Sequence, residues 1–275
     1  MENYLKEFLS EREKKKHFSS LSEEEKIAAF REMINESQKA VFLGGAGVST
    51  ESGIPDFRSR DGLYRKNRGR FKKYRPEYLL SSDCLQGRPE LFFDYFRENL
   101  DVRNVLPNDA HKALALLEKQ GKLSGVITQN IDGLHQKAGS RNVMEIHGSA
   151  LRSYCVYCRK DYGQDFIFDS TDPVPKCPEC GKMVRPDVTL YGEILPDPAY
   201  SDAVCLLRDA DLLIIGGTSL EVGSAASLAH IFHGRYLVII NKGKTKMEGK
   251  ADLVFHDSIG KILKEVSHGD RSLDS

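Results

Sequence analysis

Five short apolar runs punctuate the chain: Ala40-Val-Phe-Leu-Gly, Gly125-Val-Ile-Thr, Asp211-Leu-Leu-Ile-Ile-Gly-Gly, Tyr236-Leu-Val-Ile-Ile-Asn and Asp252-Leu-Val-Phe. Unbroken apolar runs of this length, several ending in glycine, read as strands buried on both faces, the habit of parallel sheets. The segments between them change period. His111-Lys-Ala-Leu-Ala-Leu-Leu-Glu-Lys-Gln spaces its leucines for one helix face and stops at Gly121, a residue suited to the left-handed position after a helix. Ala-rich Gly223 to His233 and Ile259 to Val266 predict two more helices. Strands alternating with helices predict a doubly wound parallel α/β sheet.

Three regions stand outside this alternation. Residues 1–36 read as helical and solvated, with Ser22 and Glu25 spaced as a capping box. Residues 58–105 are basic, aromatic and mostly helical, and residues 150–185 hold paired cysteines among short polar strands. The expected organisation is therefore an amino-terminal helical extension (1–36), a sheet domain built from 37–149 and 186–268 with a helical insertion at about 58–105, a small module at 150–185, and a tail at 269–275.

Composition narrows the class. The 275 residues carry 40 Lys/Arg against 40 Asp/Glu, so no basic surplus favours nucleic acid or a membrane surface. The charge is uneven, however: residues 58–75 hold nine Lys/Arg and one Asp, a strip that is either a solvated loop or a source of positive potential for an anionic ligand. The charged amino terminus lacks the apolar region of a secretory signal, and no apolar run approaches membrane-spanning length. Four of the six cysteines fall in two close pairs, which points to reduced thiols in a cytoplasm.

Those pairs form the strongest local motif. Cys155-x2-Cys158 and Cys177-x2-Cys180 have the spacing of a four-thiolate zinc ribbon, and four thiolates leave no coordination position for a reacting water. The metal expected here is one structural Zn²⁺. A second motif, Gly44-Gly-Ala-Gly-Val-Ser-Thr-Glu-Ser-Gly-Ile-Pro-Asp-Phe-Arg58, follows the first strand as a phosphate-binding turn would, with a helix amino terminus after it. On its own it does not separate a nucleotide loop from an ordinary strand-to-helix turn. It departs from the dehydrogenase fingerprint, with Thr50 at the third glycine and bases where an acidic ribose ligand belongs, which disfavours hydride transfer.

Gln129, Asn130 and Asp132 stand where the second strand gives way to a loop, and His147 follows as a candidate general base. His111 and His135 read as structural. Gly216-Gly-Thr-Ser-Leu220 and Asn241 repeat the pattern of polar groups at strand ends, so one shared cleft is expected.

Together, Gly45–Arg58, Thr128-Gln-Asn-Ile-Asp-Gly-Leu-His135, His147-Gly148, the four cysteines, Tyr191-Gly-Glu193 and Gly217-Thr-Ser-Leu220 strongly resemble the sirtuins, NAD-dependent protein lysine deacylases, in the bacterial form. The resemblance runs in order from about residue 38 to 265. It implies a Rossmann-like NAD-binding domain with an inserted zinc ribbon. It also implies that Gly45, Ala46, Gly47 and Thr50 cradle the NAD pyrophosphate, with Asp56, Phe57 and Arg58 on the covering loop. Gln129 would hold the ribose, Asn130 would order a water, and Ile131 with Asp132 would grip the nicotinamide carboxamide. Gly217, Thr218, Ser219, Asn241 and Asp257 would line the adenosine half. Thr189, Tyr191, Gly192 and Glu193 on one side, and Val222 on the other, would bind the acyl-lysine peptide as an added strand.

The implied reaction is acyl transfer to ADP-ribose. The acyl oxygen attacks the nicotinamide ribose as nicotinamide leaves, and His147 then takes a proton from the ribose hydroxyls. Products are free lysine, nicotinamide and O-acyl-ADP-ribose, and the partner is acetylated lysine in proteins. Thr189 replaces the family's usual valine, and Val222-Gly-Ser-Ala225 replaces its common Val-x-Pro-Ala. Phe96 and Asn99 align where members preferring acidic acyl chains carry Tyr and Arg, although Tyr95 and Arg97 lie close by, one and two residues away. A neutral acyl group, acetyl first, is expected. The rival readings are NAD hydrolysis or ADP-ribosyl transfer in the same cleft, and a nonenzymatic zinc-ribbon binding module.

Overall fold

A computed structural model describes residues 4–56, 62–63, 69–221 and 223–268. The strands are β1 Ala40–Gly44, β2 Gly125–Thr128, β3 Val143–Glu145, β4 Gly148–Cys155, β5 Asp161–Gly163, β6 Val184–Val188, β7 Leu212–Gly216, β8 Tyr236–Ile240 and β9 Leu253–Phe255. Six of them make one sheet in the order β3-β2-β1-β7-β8-β9, every pair parallel. The five apolar runs are five of these strands. The sixth, β3, was not expected, because three residues ending in Glu145 carry too little pattern to register.

Alternation along each strand divides the core in two. Ala40, Phe42, Leu212, Ile214, Val238 and Ile240 pack on one side of the sheet, while Val41, Leu43, Leu213, Ile215, Leu237 and Ile239 pack on the other. Helices Glu23–Glu36, Asp109–Lys119 and Ile259–Ser267 cover the first face through Phe30, Leu114 and Leu263. Helices Ala199–Asp209 and Gly223–Ile231 cover the second through Leu207 and Leu228.

The solvated reading of the amino terminus is corrected here. It is helical at Glu11–Ser19 and Glu23–Glu36, and the Ser22–Glu25 capping box is present. Its apolar side chains nonetheless belong to the main core. Phe18 sits edge-on to Tyr236 at 6.2 Å, Phe30 packs on Phe255 at 5.8 Å, and Lys14 reaches Asp252 at 2.9 Å.

The remaining strands form a second, antiparallel sheet, β5-β4-β6. Beside it lie helices Ser82–Gly87 and Pro89–Asn99, whose Phe92, Phe93, Tyr95 and Phe96 share a core cluster with Val188 and Leu190. Within the basic strip, Arg70 pairs with Asp94 at 3.0 Å on helix Pro89–Asn99, while residues 58–61 and 64–68 lie outside the described residues, as does the tail 269–275. No helix among the described residues is long and apolar enough to cross a membrane.

Candidate active site and metal centre

In this strand order the chain leaves β1 toward β2 and leaves β7 toward β8, so the crossovers diverge between β1 and β7. Such a switch point opens a crevice at the carboxyl ends of the strands. Glycines let the two loops meet there: Gly47 N–H donates to the Gly217 carbonyl at 2.8 Å, and a Cβ on Gly47 would come 2.7 Å from Gly217 Cα. Gly217 itself is left-handed, φ 62°. Gly45 lies behind this contact, where a Cβ would meet Thr218 Cβ at 2.8 Å.

A cavity of about 1100 Å³ opens over this point. It gathers nearly all the residues singled out from the sequence: Ala46, Gly47, Thr50, Asp56, Gln129, Asn130, Ile131, Asp132, His147, Thr189, Tyr191, Gly192, Glu193, Gly217, Thr218, Ser219, Asn241 and Asp257. Phe57, Arg58 and Val222 lie outside the described residues. The segment after the glycines is two three-residue 3-10 turns, Ala46–Val48 and Thr50–Ser52, rather than a long helix. Among the described residues no long helix adds its terminus here, and the N–H groups of Gly45, Gly47, Val48 and Ser49 are already spent on the carbonyls of Gly216, Gly217, Gly45 and Ala46.

His147 is held as a base. Its Nδ1 lies 2.9 Å from the Gln129 carbonyl, which only accepts, so Nδ1 carries the proton and Nε2 keeps its lone pair. Nε2 faces the Ser224 hydroxyl at 3.4 Å. Burial pushes the pKa below the ordinary histidine value, partly opposed by the hydrogen bond to Gln129, so the ring is neutral at neutral pH.

Around it runs a directed chain that sequence reasoning missed. Asn130 Nδ2 donates to Ser49 Oγ at 3.0 Å, and Ser49 Oγ donates to Asp132 Oδ2 at 2.6 Å. Leu134 N–H supplies the other Asp132 oxygen at 2.9 Å. Burial pushes the Asp132 pKa up, and these two donors pull it back. Ser49 lay inside the glycine motif, but a buried hydroxyl has no period or spacing to mark it. Ser49→Ala leaves Asp132 short of a donor, so we expect a loss of about 1–3 kcal/mol in urea unfolding and about tenfold weaker NAD binding by titration calorimetry. Unchanged values for both would remove Ser49 from the network.

Two structural readings are qualified by the contacts. Tyr191 already pairs through its backbone with the loop before helix Ser82–Gly87, accepting from Ser82 N at 3.0 Å and donating to Leu80 O at 3.0 Å. Its main chain is therefore not an open strand edge. The Glu193 carboxylate binds Arg185 and accepts from Leu190 N at 2.9 Å, so this side chain braces the cavity wall. Asp257 lines the cavity with its carboxylate engaged by Lys261 at 2.6 Å. An apolar part of the lining is made by Leu63, Leu80, Leu100, Val102, Ile131, Val188 and Leu190, all but Val102 belonging to or packed against the helical core cluster. Phe96 and Asn99 are not in this lining, Tyr95 is fully buried, and Arg97 is spent on the carbonyls of Ile167 and Asp172 at 2.9 and 2.8 Å.

His111 and His135 are buried outside the cavity, edge to face at 4.8 Å, with three of their four ring nitrogens unpartnered among the described residues. Burial lowers their pKa to about 4 and about 3. Both are neutral in the folded protein and protonate first in the unfolded chain. Stability is thus complete above the ordinary histidine value and is lost as pH falls toward the folded values, by at most about 3 kcal/mol per pH unit for the pair. In urea unfolding between pH 6.5 and 4, His135→Leu should about halve that slope; an unaltered slope would assign acid lability elsewhere.

The four cysteine sulfurs lie within 4.8 Å of one another, with Cys155–Cys180 at 3.4 Å and Cys158–Cys177 at 3.6 Å. Tetrahedral Zn–S bonds of about 2.3 Å require sulfurs roughly 3.8 Å apart, so the set fits one Zn²⁺. Each pair sits on a knuckle whose next residue is left-handed, Arg159 at φ 61° and Gly181 at φ 69°. Backbone N–H groups of Cys158 and Cys180 point back at the Cys155 and Cys177 sulfurs, as thiolates favour.

The comparisons with known proteins agree with this geometry. The Sir2 family model matches residues 45–224. The NAD-dependent protein deacetylase of Clostridium perfringens is 52% identical over 244 residues, covering 88% of this chain and 99% of its own. That of Clostridium acetobutylicum is 48% identical over 242 residues, covering 88% and 98%. A solved Sir2–p53 peptide–NAD+ complex superposes with a TM-score of 0.78 at 38% identity, covering 87% of this chain and 96% of that one. A Sir2 structure bound to a propionylated peptide gives 0.78 at 36% identity, with coverage of 87% and 96%. On its motifs, its fold and these relatives, the chain belongs to the Sir2 family.

Proposed function

We propose that this protein removes acetyl groups from protein lysines at the expense of NAD, releasing nicotinamide, O-acyl-ADP-ribose and free lysine. The observation that carries the reading is His147. It is a half-buried neutral imidazole with its lone pair aimed into the cavity that also holds the Asn130–Ser49–Asp132 chain. The deacetylase relatives and the Sir2 complexes with NAD+ and peptide support it.

NAD supplies a ribose carbon that becomes electrophilic as nicotinamide departs. The protein's own groups do the rest. Gly45, Ala46, Gly47, Thr50 and Asp56, with Phe57 and Arg58, take the pyrophosphate side. Gln129, Gly217, Thr218, Ser219, Asn241 and Asp257 take the ribose and adenosine side. Ile131 and Asp132 hold the carboxamide, and Asn130 orders a water. Thr189, Tyr191, Gly192, Glu193 and Val222 flank the lysine. The leucine- and valine-lined end excludes water from a weak carbonyl nucleophile and, among the described residues, offers no cation to an acidic acyl chain, which supports a preference for acetyl and other neutral groups.

In this assignment residues 150–185 form the zinc module with Cys155, Cys158, Cys177 and Cys180 as ligands. Residues 37–149 and 186–268 form the NAD-binding domain, and 1–36 precede it. We place the protein in the cytoplasm, a reading supported by six free cysteines, and expect no direct nucleic-acid or membrane partner. The deciding assay incubates protein and NAD with and without an acetyl-lysine peptide while following nicotinamide and peptide mass. Deacetylation tied to nicotinamide release is expected. Release indifferent to the peptide would make this an NAD hydrolase, and no release by a zinc-bearing protein would make it a binding module.

A further inference from the structure

Leu100 and Val102 wall the apolar end of the cavity, yet they sit on an irregular stretch between helices Pro89–Asn99 and Asp109–Lys119. Inside it, the backbone is supported by a turn closed by Val105 N to Val102 O, 3.1 Å, and by Arg103 N–H to Asp101 Oδ1, 3.2 Å. The stretch is held to its surroundings by two arginines that bracket Leu100 and Val102. Arg97 donates to the carbonyls of Ile167 at 2.9 Å, Asp172 at 2.8 Å and Pro173 at 3.4 Å. Arg103 bonds Asp101 at 2.7 and 2.9 Å, Asp165 at 3.0 Å and Asp169 at 2.6 Å. Its guanidinium also lies 5.0 Å from the Phe168 ring, which stacks on Phe96 at 5.5 Å. Every partner on the far side falls between Cys158 and Cys177, in the span that joins the two metal-ligating pairs.

We propose that Arg103, backed by Arg97, is a positioning residue that makes the acyl-end wall of the cavity depend on the folded state of the zinc module. The consequence for acyl-lysine binding rests on the deacetylase reading; the mechanical coupling does not.

An isolated exposed ion pair would not do this, since such pairs contribute little. Here one guanidinium bridges three carboxylates, one on the cavity stretch and two on the module. Without it, Asp101 faces Asp165 and Asp169 as like charges, so the contact changes from attraction to repulsion. The bonds from Arg97 need the native trace of residues 167–173, which closure of Cys158 and Cys177 on one metal maintains. On its other flank the stretch is tied to the sheet domain by Lys137, which donates to Val105 O at 2.8 Å. The wall therefore spans the two bodies, and its position follows both.

The test uses the full zinc-loaded chain and Arg103→Met, which keeps length and removes charge. Hydrogen exchange is followed by mass spectrometry on the peptide covering residues 100–106, before and after zinc is stripped. In the parent, stripping should speed exchange there. In Arg103→Met the loaded protein should already exchange at that faster rate, with zinc content unchanged, and stripping should add little. The KM for an acetyl-lysine peptide should rise about fivefold or more, with NAD affinity altered less than about twofold. Arg103→Lys, which keeps the charge but not the fork, should recover part of both effects. Parent-like protection of 100–106 in loaded Arg103→Met overturns the coupling, as does loosening that extends equally to β1 and β7. Faster exchange with an unchanged KM would overturn the acyl-wall role alone. Absence of any peptide-dependent turnover in the parent would instead defeat the deacetylase reading while leaving the exchange result to judge the coupling.

Discussion

Replacing His147 with alanine should reduce peptide-dependent nicotinamide release and deacetylation by about a hundredfold or more, with the fold intact. The magnitude follows from what the ring does. Nδ1–H is fixed on the Gln129 carbonyl at 2.9 Å, so Nε2 is presented into the cavity without a search over tautomers. Removing the imidazole removes the only histidine among the described residues that lines this cavity. Asp132 cannot stand in, because its oxygens are engaged by Ser49 and Leu134 N–H. Stability should change little by comparison, since that hydrogen bond and a partly buried ring are all that is lost. The pH profile gives a second check. Burial holds the His147 pKa below its ordinary value, so the base stays deprotonated through neutrality and activity falls only on the acid side of that ordinary value. Near-parental turnover in His147→Ala, measured by nicotinamide release and peptide mass, would take the ring out of the mechanism.

The sheet and the four-cysteine centre were legible in the sequence for the same reason: their signals are local. A strand buried on both faces shows as an apolar run, and a metal knuckle shows as a spacing. The cavity residues were legible because they cluster just after those runs, at Gly45–Thr50, Gln129–Asp132 and Gly217–Ser219. What escaped depends on contacts across the fold. The burial of Phe18 and Phe30 requires knowing that Tyr236 and Phe255 lie beside them. The use of Tyr191's backbone by Ser82, and of Glu193's carboxylate by Arg185, comes from docking of segments that no periodicity relates. Ser49 escaped for a different reason. One hydroxyl that accepts from Asn130 and donates to Asp132 is defined by direction, and a sequence motif carries none.

Loss of the metal should have an effect as large as loss of His147, reached through structure. Metal analysis is expected to find about one zinc per chain, and stripping it, or Cys177→Ala, should unfold the β5-β4-β6 module and abolish peptide-dependent turnover. Apart from Ala150, Ile167 and their neighbours, which lean on the helical cluster, the module has little apolar core of its own. Its own cluster buries only Cys155, Cys177 and Val184, flanked by Tyr162, Phe166 and Cys180. So few apolar groups cannot offset the ordering of residues 150–185, whereas a four-cysteine zinc site contributes on the order of 10–16 kcal/mol to small domains. Without metal, thiols crowded within 4.8 Å are left to repel when ionised or to oxidise. The damage then reaches the cavity, because β6 ends at Val188 and the next residues, Thr189 to Glu193, line it. The six-stranded sheet should survive, since its two cores include no residue of the cysteine cluster. Limited proteolysis should cut first within 150–185, and circular dichroism should retain most of the helix signal. A metal-free protein that resists proteolysis there and still deacetylates peptide would refute the structural-zinc assignment.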